Sequence, residues 1–190
     1  MRTLLITTLI LLGNIASTLS VRSEPFETLS DDRIRHTISG FIFPKRIGVF
    51  EREKTKEYNQ AGSDVSAGYN AGVLIAATVY VYPAPGETSA EVLAREWASK
   101  RSEVLQGRQD IAVLSENPAT VTQGDKKHVG RRAFFSFRDT FANTLQDLKS
   151  QLLVFQDGPV FVEYRFTYRR DNSEAAEEQI ERFIKGWSWR

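Results

Sequence analysis

The stretch that decides the fold is residues 160–169, which read Val160-Phe161-Val162-Glu163-Tyr164-Arg165-Phe166-Thr167-Tyr168-Arg169. Successive side chains of a strand point to opposite faces, so the even-numbered residues of this stretch form one apolar face. The odd-numbered residues mix aromatic, charged and polar side chains. The pattern predicts a strand with one face against a core and the other against water or a partner.

An amphipathic helix is predicted directly after this strand. Asp171 and Glu174 have the spacing of a capping box, in which each side chain satisfies a backbone donor at the start of a helix. An apolar stripe then follows at helical spacing, and its members are Ala176, Ile180, Phe183, Ile184 and Trp187. We expect Trp187 and Trp189 to dock the tail onto the sheet.

Strands and turns are predicted on both sides of a first helix. Two hairpins are expected before residue 169, one over 119–138 with its turn at Gly124-Asp125, and one over 145–168 with its turn at 157–159. Upstream, short alternating segments at 47–52, 64–71 and 73–82 indicate a three-stranded meander. Between them, Thr88 and Glu91 form a capping box, Trp97 lies on the apolar face and Gly107 ends the helix.

This order of strands, helix, strands and helix predicts an α+β fold, an antiparallel sheet with helices packed on it. We expect one domain over residues 37–190, preceded by a flexible segment over 21–36. The element order resembles the small α+β sandwich of the PsbP and Mog1 families. Segments 43–50, 64–69 and 77–82 are similar to the opening of a group of uncharacterised exported bacterial proteins. These resemblances imply a fold and no activity.

The first twenty residues have the pattern of a secretory signal peptide. Arg2 precedes an apolar run from Leu4 to Leu12, and small and polar residues follow up to Ser20. The apolar run is shorter than the ~20 residues that span a bilayer, so we expect cleavage after Ser20, with Ala16 and Thr18 as alternatives. The mature chain is then exported, either to the periplasm or to the medium. No later stretch has the length and apolarity of a membrane span.

The composition argues against several classes of partner and chemistry. Outside residues 1–20 the chain has 24 basic and 24 acidic residues, because that segment contains Arg2 and no acid. Near-neutral charge argues against nucleic acid and anionic membrane as main partners. With no cysteine there is no thiol nucleophile or thiolate metal site, and the two histidines, His36 and His128, form no helical metal motif. We expect no metal and no cofactor.

One group of residues is typical of a binding surface. Basic side chains cluster around the turn at 124–125, and arginines recur on the last strand. If the two strands are neighbours, Arg132 and Arg165 share an exposed face with Phe134 and Phe161, and arginine beside aromatic rings is typical of partner contacts. The other interpretation is a solvated hairpin tip that only keeps the protein soluble. The predicted binding residues are Lys126, His128, Arg132, Phe134, Phe161, Arg165 and Arg169.

Three functions follow from these observations. The first is an exported, non-catalytic binding or protein-interaction module that uses the open sheet face for an envelope protein or a small ligand. The second is an envelope hydrolase or isomerase that uses carboxylates in a pocket between sheet and helix, with Glu163 as the acid of interest. For Glu163 the plain interpretation is an ion pair across strands with an arginine such as Arg132. The third is an assembly factor or subunit of an envelope complex.

Overall fold

The computed structural model describes residues 24–72, 74–86, 88–108 and 110–189. The predicted signal peptide lies outside these residues. Within them, no helix combines the length and the apolarity needed to cross a membrane.

Two antiparallel sheets organise the chain. The small sheet has the order β1-β2-β3, and its strands are β1 Phe26–Thr28, β2 Ile34–His36 and β3 Ile42–Phe43. The large sheet has eight strands in the order β4-β5-β6-β7-β11-β10-β9-β8. Those strands are β4 Arg46–Ile47, β5 Phe50–Glu57, β6 Val65–Ala71, β7 Ile75–Pro83, β8 Ala112–Gln123, β9 Lys126–Phe141, β10 Thr144–Asp157 and β11 Val160–Arg169. The predicted antiparallel sheet, its meander and both late hairpins are confirmed, and the protein is richer in sheet than expected.

Two helices cover opposite faces of the large sheet. Helix α1, Ala90–Gln106, places Trp97 over Leu152, Val154 and Phe161. Helix α2, Ser173–Gly186, follows a 3₁₀ turn at Arg170–Asn172. It packs on the opposite face of the sheet, where strand residues such as Leu153 and Phe155 point. Because neighbouring residues of a strand point to opposite faces, the two helices bury two separate cores.

The larger core lies under α2 and is mainly aromatic. The Phe183 ring lies 4.8 Å from Phe50 and 5.2 Å from Tyr69, both edge-to-face. The predicted stripe of α2 is buried there, and so is the tail: Trp187 is fully buried, and the Gln123 side chain bonds to the backbone of both Trp187 and Trp189. The expected docking of the tail is therefore confirmed.

Both predicted capping boxes are wrong by one position. Helix α1 begins after Ser89, whose hydroxyl accepts from the Val92 N–H at 3.1 Å, while the Thr88 hydroxyl turns to the Gly158 carbonyl. Before α2, Asp171 lies inside the 3₁₀ turn and pairs with Arg169, and the cap residue Asn172 makes no side-chain bond. In each case the hydroxyl or carboxylate has found another partner brought near by the fold.

The segment expected to be flexible, 21–36, is structured from Phe26 onward. Strands β1 and β2 pair with each other, and the buried His36 side chain contacts Ser39 Oγ and the Gly62 carbonyl, each at 2.6 Å. These strands are three residues long and largely exposed, so they carry too little alternation to be recognised. The hydrogen bonds of the His36 side chain to Ser39 and to the Gly62 carbonyl stabilise this pair of strands.

Candidate functional site

The two arginines of the predicted binding face lie on opposite sides of the sheet. Strand β10 runs between β9 and β11, so the strands that carry Arg132 and Arg165 are not neighbours. Arg132 is in register with Leu153, whereas Arg165 is in register with Leu152. Since these two leucines are consecutive, they point to opposite faces. The prediction of one shared arginine face is therefore wrong.

The two phenylalanines of the predicted binding face, Phe134 and Phe161, also lie on opposite sides of the sheet. Phe161 is buried in the core beneath α1 and is not part of an open face. Phe134 lies on the α2 face with Arg132, whose guanidinium is 5.7 Å from its ring. The face expected to be open on β11 is covered by α1, because the apolar stripe of that helix needed a sheet surface to pack on.

The remaining predicted residues do not join a common site. Lys126 is exposed near the hairpin turn. His128 is buried and its ring stacks on Trp189 at 4.2 Å, where burial lowers the pKa of the imidazole. Arg169 is exposed and its guanidinium pairs with Asp171. The structure brings together Arg132 with Phe134, and Arg165 with Glu163, on separate faces.

A polar cleft lies between α1, the strands β7 and β11 and the loop between β5 and β6, and we call it the Glu163 cleft. Its volume is about 270 Å³. Strand alternation places Tyr80 and Glu163 directly opposite each other on β7 and β11, and α1 supplies side chains from above. The residues that line the cleft are Tyr58, Asp64, Tyr80, Tyr82, Lys100, Glu103, Glu163 and Arg165.

Glu163 forms the floor of this cleft and is 1% exposed. Burial raises the pKa of its carboxyl, and the adjacent Arg165 opposes that rise. The Arg165 guanidinium bonds to one carboxylate oxygen, and the Tyr82 hydroxyl lies 3.2 Å from the other. The partner of Glu163 is thus Arg165 on its own strand. Arg132, the partner suggested by the sequence, pairs with Glu181 instead.

The Tyr82 hydroxyl lies between two carboxylates. It is 2.9 Å from Glu96 Oε1 as well as 3.2 Å from Glu163 Oε2. A phenol has one proton to donate, so it cannot donate fully to both carboxylates at once. The shorter contact is to Glu96, so the Tyr82 hydroxyl satisfies Glu163 only in part and Arg165 is the main partner of the Glu163 carboxylate.

Charged groups at the rim are paired with one another. Arg165 Nη2 lies 2.9 Å from Glu103 Oε2, and Lys100 Nζ lies 2.8 Å from Glu103 Oε1. Each of three tyrosines also has a cation over its ring, which holds the ring in position. These pairs are Lys56 with Tyr58 at 4.6 Å, Arg165 with Tyr80 at 5.3 Å and Lys100 with Tyr82 at 5.1 Å.

Burial and ion pairing both shift the pKa values of the cleft: at Glu103, the hydrogen bonds from Lys100 and Arg165 outweigh burial and lower the pKa. Burial raises the pKa of the Asp64 carboxyl and raises the pKa of Tyr80 to about 12. Three acids, Asp64, Glu103 and Glu163, face two cations, Lys100 and Arg165. The cleft therefore offers ordered hydrogen-bonding groups and a tyrosine surface, with a slight excess of acid.

A second cavity lies on the other face, between β8 and α2, and we call it the β8–α2 cavity. Its volume is about 490 Å³, and Arg132 and Phe134 are among its lining residues. Leu153, Phe155 and Ile184 give it an apolar floor that belongs to the aromatic core.

Sequence reasoning missed the Glu163 cleft as a unit because its residues come from β7, β11, α1 and the loop between β5 and β6. Glu163 was recognisable as an acid within an otherwise apolar strand. Among the described residues, no three His, Cys, Asp or Glu side chains are grouped to hold a metal ion.

No protein-family model and no curated protein matches this chain. Among solved structures, the chain is similar to a cyanobacterial PsbP protein from Synechocystis sp. PCC 6803, with a TM-score of 0.49 and 10% identity over 94% of this chain and 100% of that one. It is also similar to a protein of unknown function from Pseudomonas aeruginosa, with a TM-score of 0.45 and 7% identity over 83% of this chain and 96% of that one. Both TM-scores are low, so membership of the PsbP family is not shown and neither similarity supports a functional argument.

Proposed function

We propose that this protein is an exported, non-catalytic binding module and that the Glu163 cleft is its ligand site. The observation that carries the proposal is the buried Glu163 carboxyl, with its raised pKa, at the floor of a cleft lined by tyrosines and paired charges. Perturbed ionisable groups collected in a concave site are typical of functional sites. The export part of the proposal rests on the sequence of residues 1–20.

The chemistry of the rim favours a small polar ligand with hydroxyl or amino groups. Glu103 is 46% and Arg165 33% exposed at the side chain, so both are more accessible to a ligand than Glu163, which is 1% exposed at the floor. Glu163 then acts as a positioning residue, because its bond to the Arg165 Nε fixes the direction of the guanidinium. The exposed ring of Tyr58 offers a flat surface beside these polar groups.

The experiment is a comparison of ligands retained by the mature protein and by a charge-free cleft variant, measured by native mass spectrometry after purification from its own envelope fraction. The variant is Glu163→Gln with Arg165→Met, since removing both charges avoids leaving one buried and unpaired. We expect a bound small molecule on the wild type and its loss from the double variant. Arg169→Met, on the same strand and face, is the matched control and retains the ligand.

The same purification also tests for a protein partner. A stoichiometric protein that stays bound equally to wild type and double variant, with no small molecule, would contradict the cleft as the ligand site. A small molecule retained equally by both proteins would contradict it as well.

The second candidate is an enzyme that uses acid–base chemistry at the same cleft, and the raised pKa of Glu163 is the observation that favours it. A hydrolase or isomerase of this kind shows a bell-shaped dependence of rate on pH. Glu163→Gln alone would abolish turnover of a substrate while retaining its binding. A ligand that the wild type releases unchanged supports the binding module.

A further inference from the structure

The β8–α2 cavity combines an apolar floor with a cationic wall, and it is separate from the Glu163 cleft. Its floor residues Leu153, Phe155 and Ile184 are each at most 1% exposed. The volume of about 490 Å³ falls within the ~300–1,000 Å³ of small-molecule sites. Above this closed floor, the apolar surface that a ligand can reach comes from Pro118 and Ala119 of β8 and Phe134 of β9, which line the same cavity and are exposed or half-buried.

Two cations and one acid line the same cavity. They are Arg132 on β9 and Lys185 and Glu181 on α2. Arg132 Nη1 bonds to Glu181 Oε1 at 2.6 Å. The Arg132 Nε atom is buried and has no hydrogen-bond partner among the described residues. A guanidinium has five N–H donors, so the bond to Glu181 leaves capacity for a second acceptor.

The polar groups around this wall add acceptors and donors of modest strength. Asn117, Thr120 and Thr122 of β8 line the outer side of the cavity. The carbonyl end of α2 adds partial negative charge near Lys185, which the lysine offsets. The Arg132 side chain is 20% exposed, so part of its guanidinium lies in the cavity beside Lys185.

We propose that the β8–α2 cavity binds a small carboxylate with a short apolar body. The carboxylate accepts from the part of the Arg132 guanidinium that lines the cavity and is balanced by Lys185, while the apolar body packs on Pro118, Ala119 and Phe134. Arginine binds carboxylates through parallel N–H donors, which makes it suited to this role. The site is independent of the Glu163 cleft and goes beyond the function proposed for it.

The test is calorimetric titration of the mature protein near pH 7 with three probes of equal chain length: octanoate, octan-1-ol and octylammonium. We expect octanoate to bind, octan-1-ol to bind at least about tenfold more weakly, and octylammonium not to bind. Equal binding of octanoate and octylammonium, or no binding of octanoate, would overturn the proposal.

Three variants locate the binding. Arg132→Gln and Lys185→Gln are each expected to weaken octanoate binding about tenfold, because each removes a cation from the wall. Arg182→Gln is the matched control: it lies on the same helix, is 63% exposed and pairs with Glu178, so binding stays unchanged. If Arg132→Gln binds octanoate as tightly as the wild type, the site assignment is wrong.

Amide chemical shifts recorded with octanoate separate the two sites. Changes centred on Leu153, Phe155 and Ile184 support the proposal. Changes centred on Tyr80 and Arg165 would overturn it and would instead support a ligand role for the Glu163 cleft. Folding of each variant is checked by its unfolding midpoint, and Lys185→Gln keeps the test valid if Arg132→Gln is unstable, since Lys185 is exposed.

Discussion

The two faces of the large sheet are built in different ways. On the α2 face, aromatic rings from both sheet and helix interlock, with Phe183 in contact with Phe50, Tyr69, Phe166 and Trp187. On the α1 face, a smaller apolar core around Trp97 lies next to a buried acid and a network of ion pairs. The α2 face is stabilised by apolar burial, whereas the α1 face keeps charged groups in fixed positions.

This difference shows where a functional site is compatible with stability. Buried charge is costly unless it is paired, so it persists where a role or a partner maintains it. Strand β11 contributes to both faces, with Tyr164 on one and Glu163 on the other, one residue apart. The following experiments test whether the two faces are energetically as distinct as their side chains.

The largest expected effect is from Phe183→Ala on the α2 face. We expect a loss of about 4 kcal/mol in the free energy of unfolding, because a fully buried ring with several aromatic contacts is removed. Leu93→Ala on the half-buried side of α1 should cost about 1 kcal/mol. Urea unfolding measures both, and equal losses would show that the two faces contribute alike.

A smaller loss is expected from Arg165→Met on the α1 face. It leaves the Glu163 carboxylate buried without its cation, and we expect a cost of roughly 2 kcal/mol, below the 3–5 kcal/mol of fully buried pairs because the arginine is partly exposed. Adding Glu163→Gln should restore most of the stability. If the double variant is no more stable than Arg165→Met, the buried charge is not the cause of the loss.

The two faces should respond to pH with opposite signs. The raised pKa of Glu163 means that the folded state favours its protonated form, so this stabilisation is complete below 4.5 and is lost as pH rises through the folded pKa. The lowered pKa of His128 means that its neutral form is favoured, so that stabilisation is present above 6.5 and is lost as pH falls. Burial causes both shifts, and Asp157 and Lys126 act on His128 with opposite signs.

Unfolding free energies of the wild type, Glu163→Gln and His128→Gln measured from pH 4 to 9 separate these contributions. Glu163→Gln should gain stability relative to the wild type as pH rises. His128→Gln should gain relative to the wild type as pH falls below 6.5. Parallel curves for all three proteins would contradict both assignments.

The smallest effect is expected from Arg169→Met. Arg169 and Asp171 are 45% and 63% exposed at the side chain, and exposed ion pairs contribute less than ~1 kcal/mol. We expect a change within about 0.5 kcal/mol. A larger loss would show that the start of α2 depends on this pair, since Asp171 lies in the 3₁₀ turn before it.

Elements with strong local patterns were predictable. The late hairpins, the stripe of α2, the docked tail and the stop of α1 at Gly107 all agree with the structure. The caps were placed one residue off because Thr88 and Asp171 are drawn to other partners. Strands β1 and β2 were missed because they are short and because one of the two His36 contacts beside them is to the Gly62 carbonyl, which lies 26 residues away in sequence.

Individual residues of the Glu163 cleft were predictable from the sequence, but their arrangement was not. Glu163 and Arg165 were both noticed on the polar face of β11, but the expected ion-pair partner of Glu163 was Arg132 and Arg165 was assigned to a binding surface. Their relation to Lys100 and Glu103 depends on how α1 lies across β11, which no local spacing encodes. The separation of Arg132 from Arg165 likewise depends on β10 lying between their strands.

The sequence by itself determined both helices, the long strands of the large sheet and which face of β11 is apolar, because periodicities of 2 and 3.6 residues are local properties. It also determined that no cysteine takes part in the fold. The tertiary structure decided which charges meet and which are buried. It placed α1 over the charged face of β11, and that burial is the largest cause of the raised pKa of Glu163, because the cost of removing a carboxylate from water is set by everything packed around it.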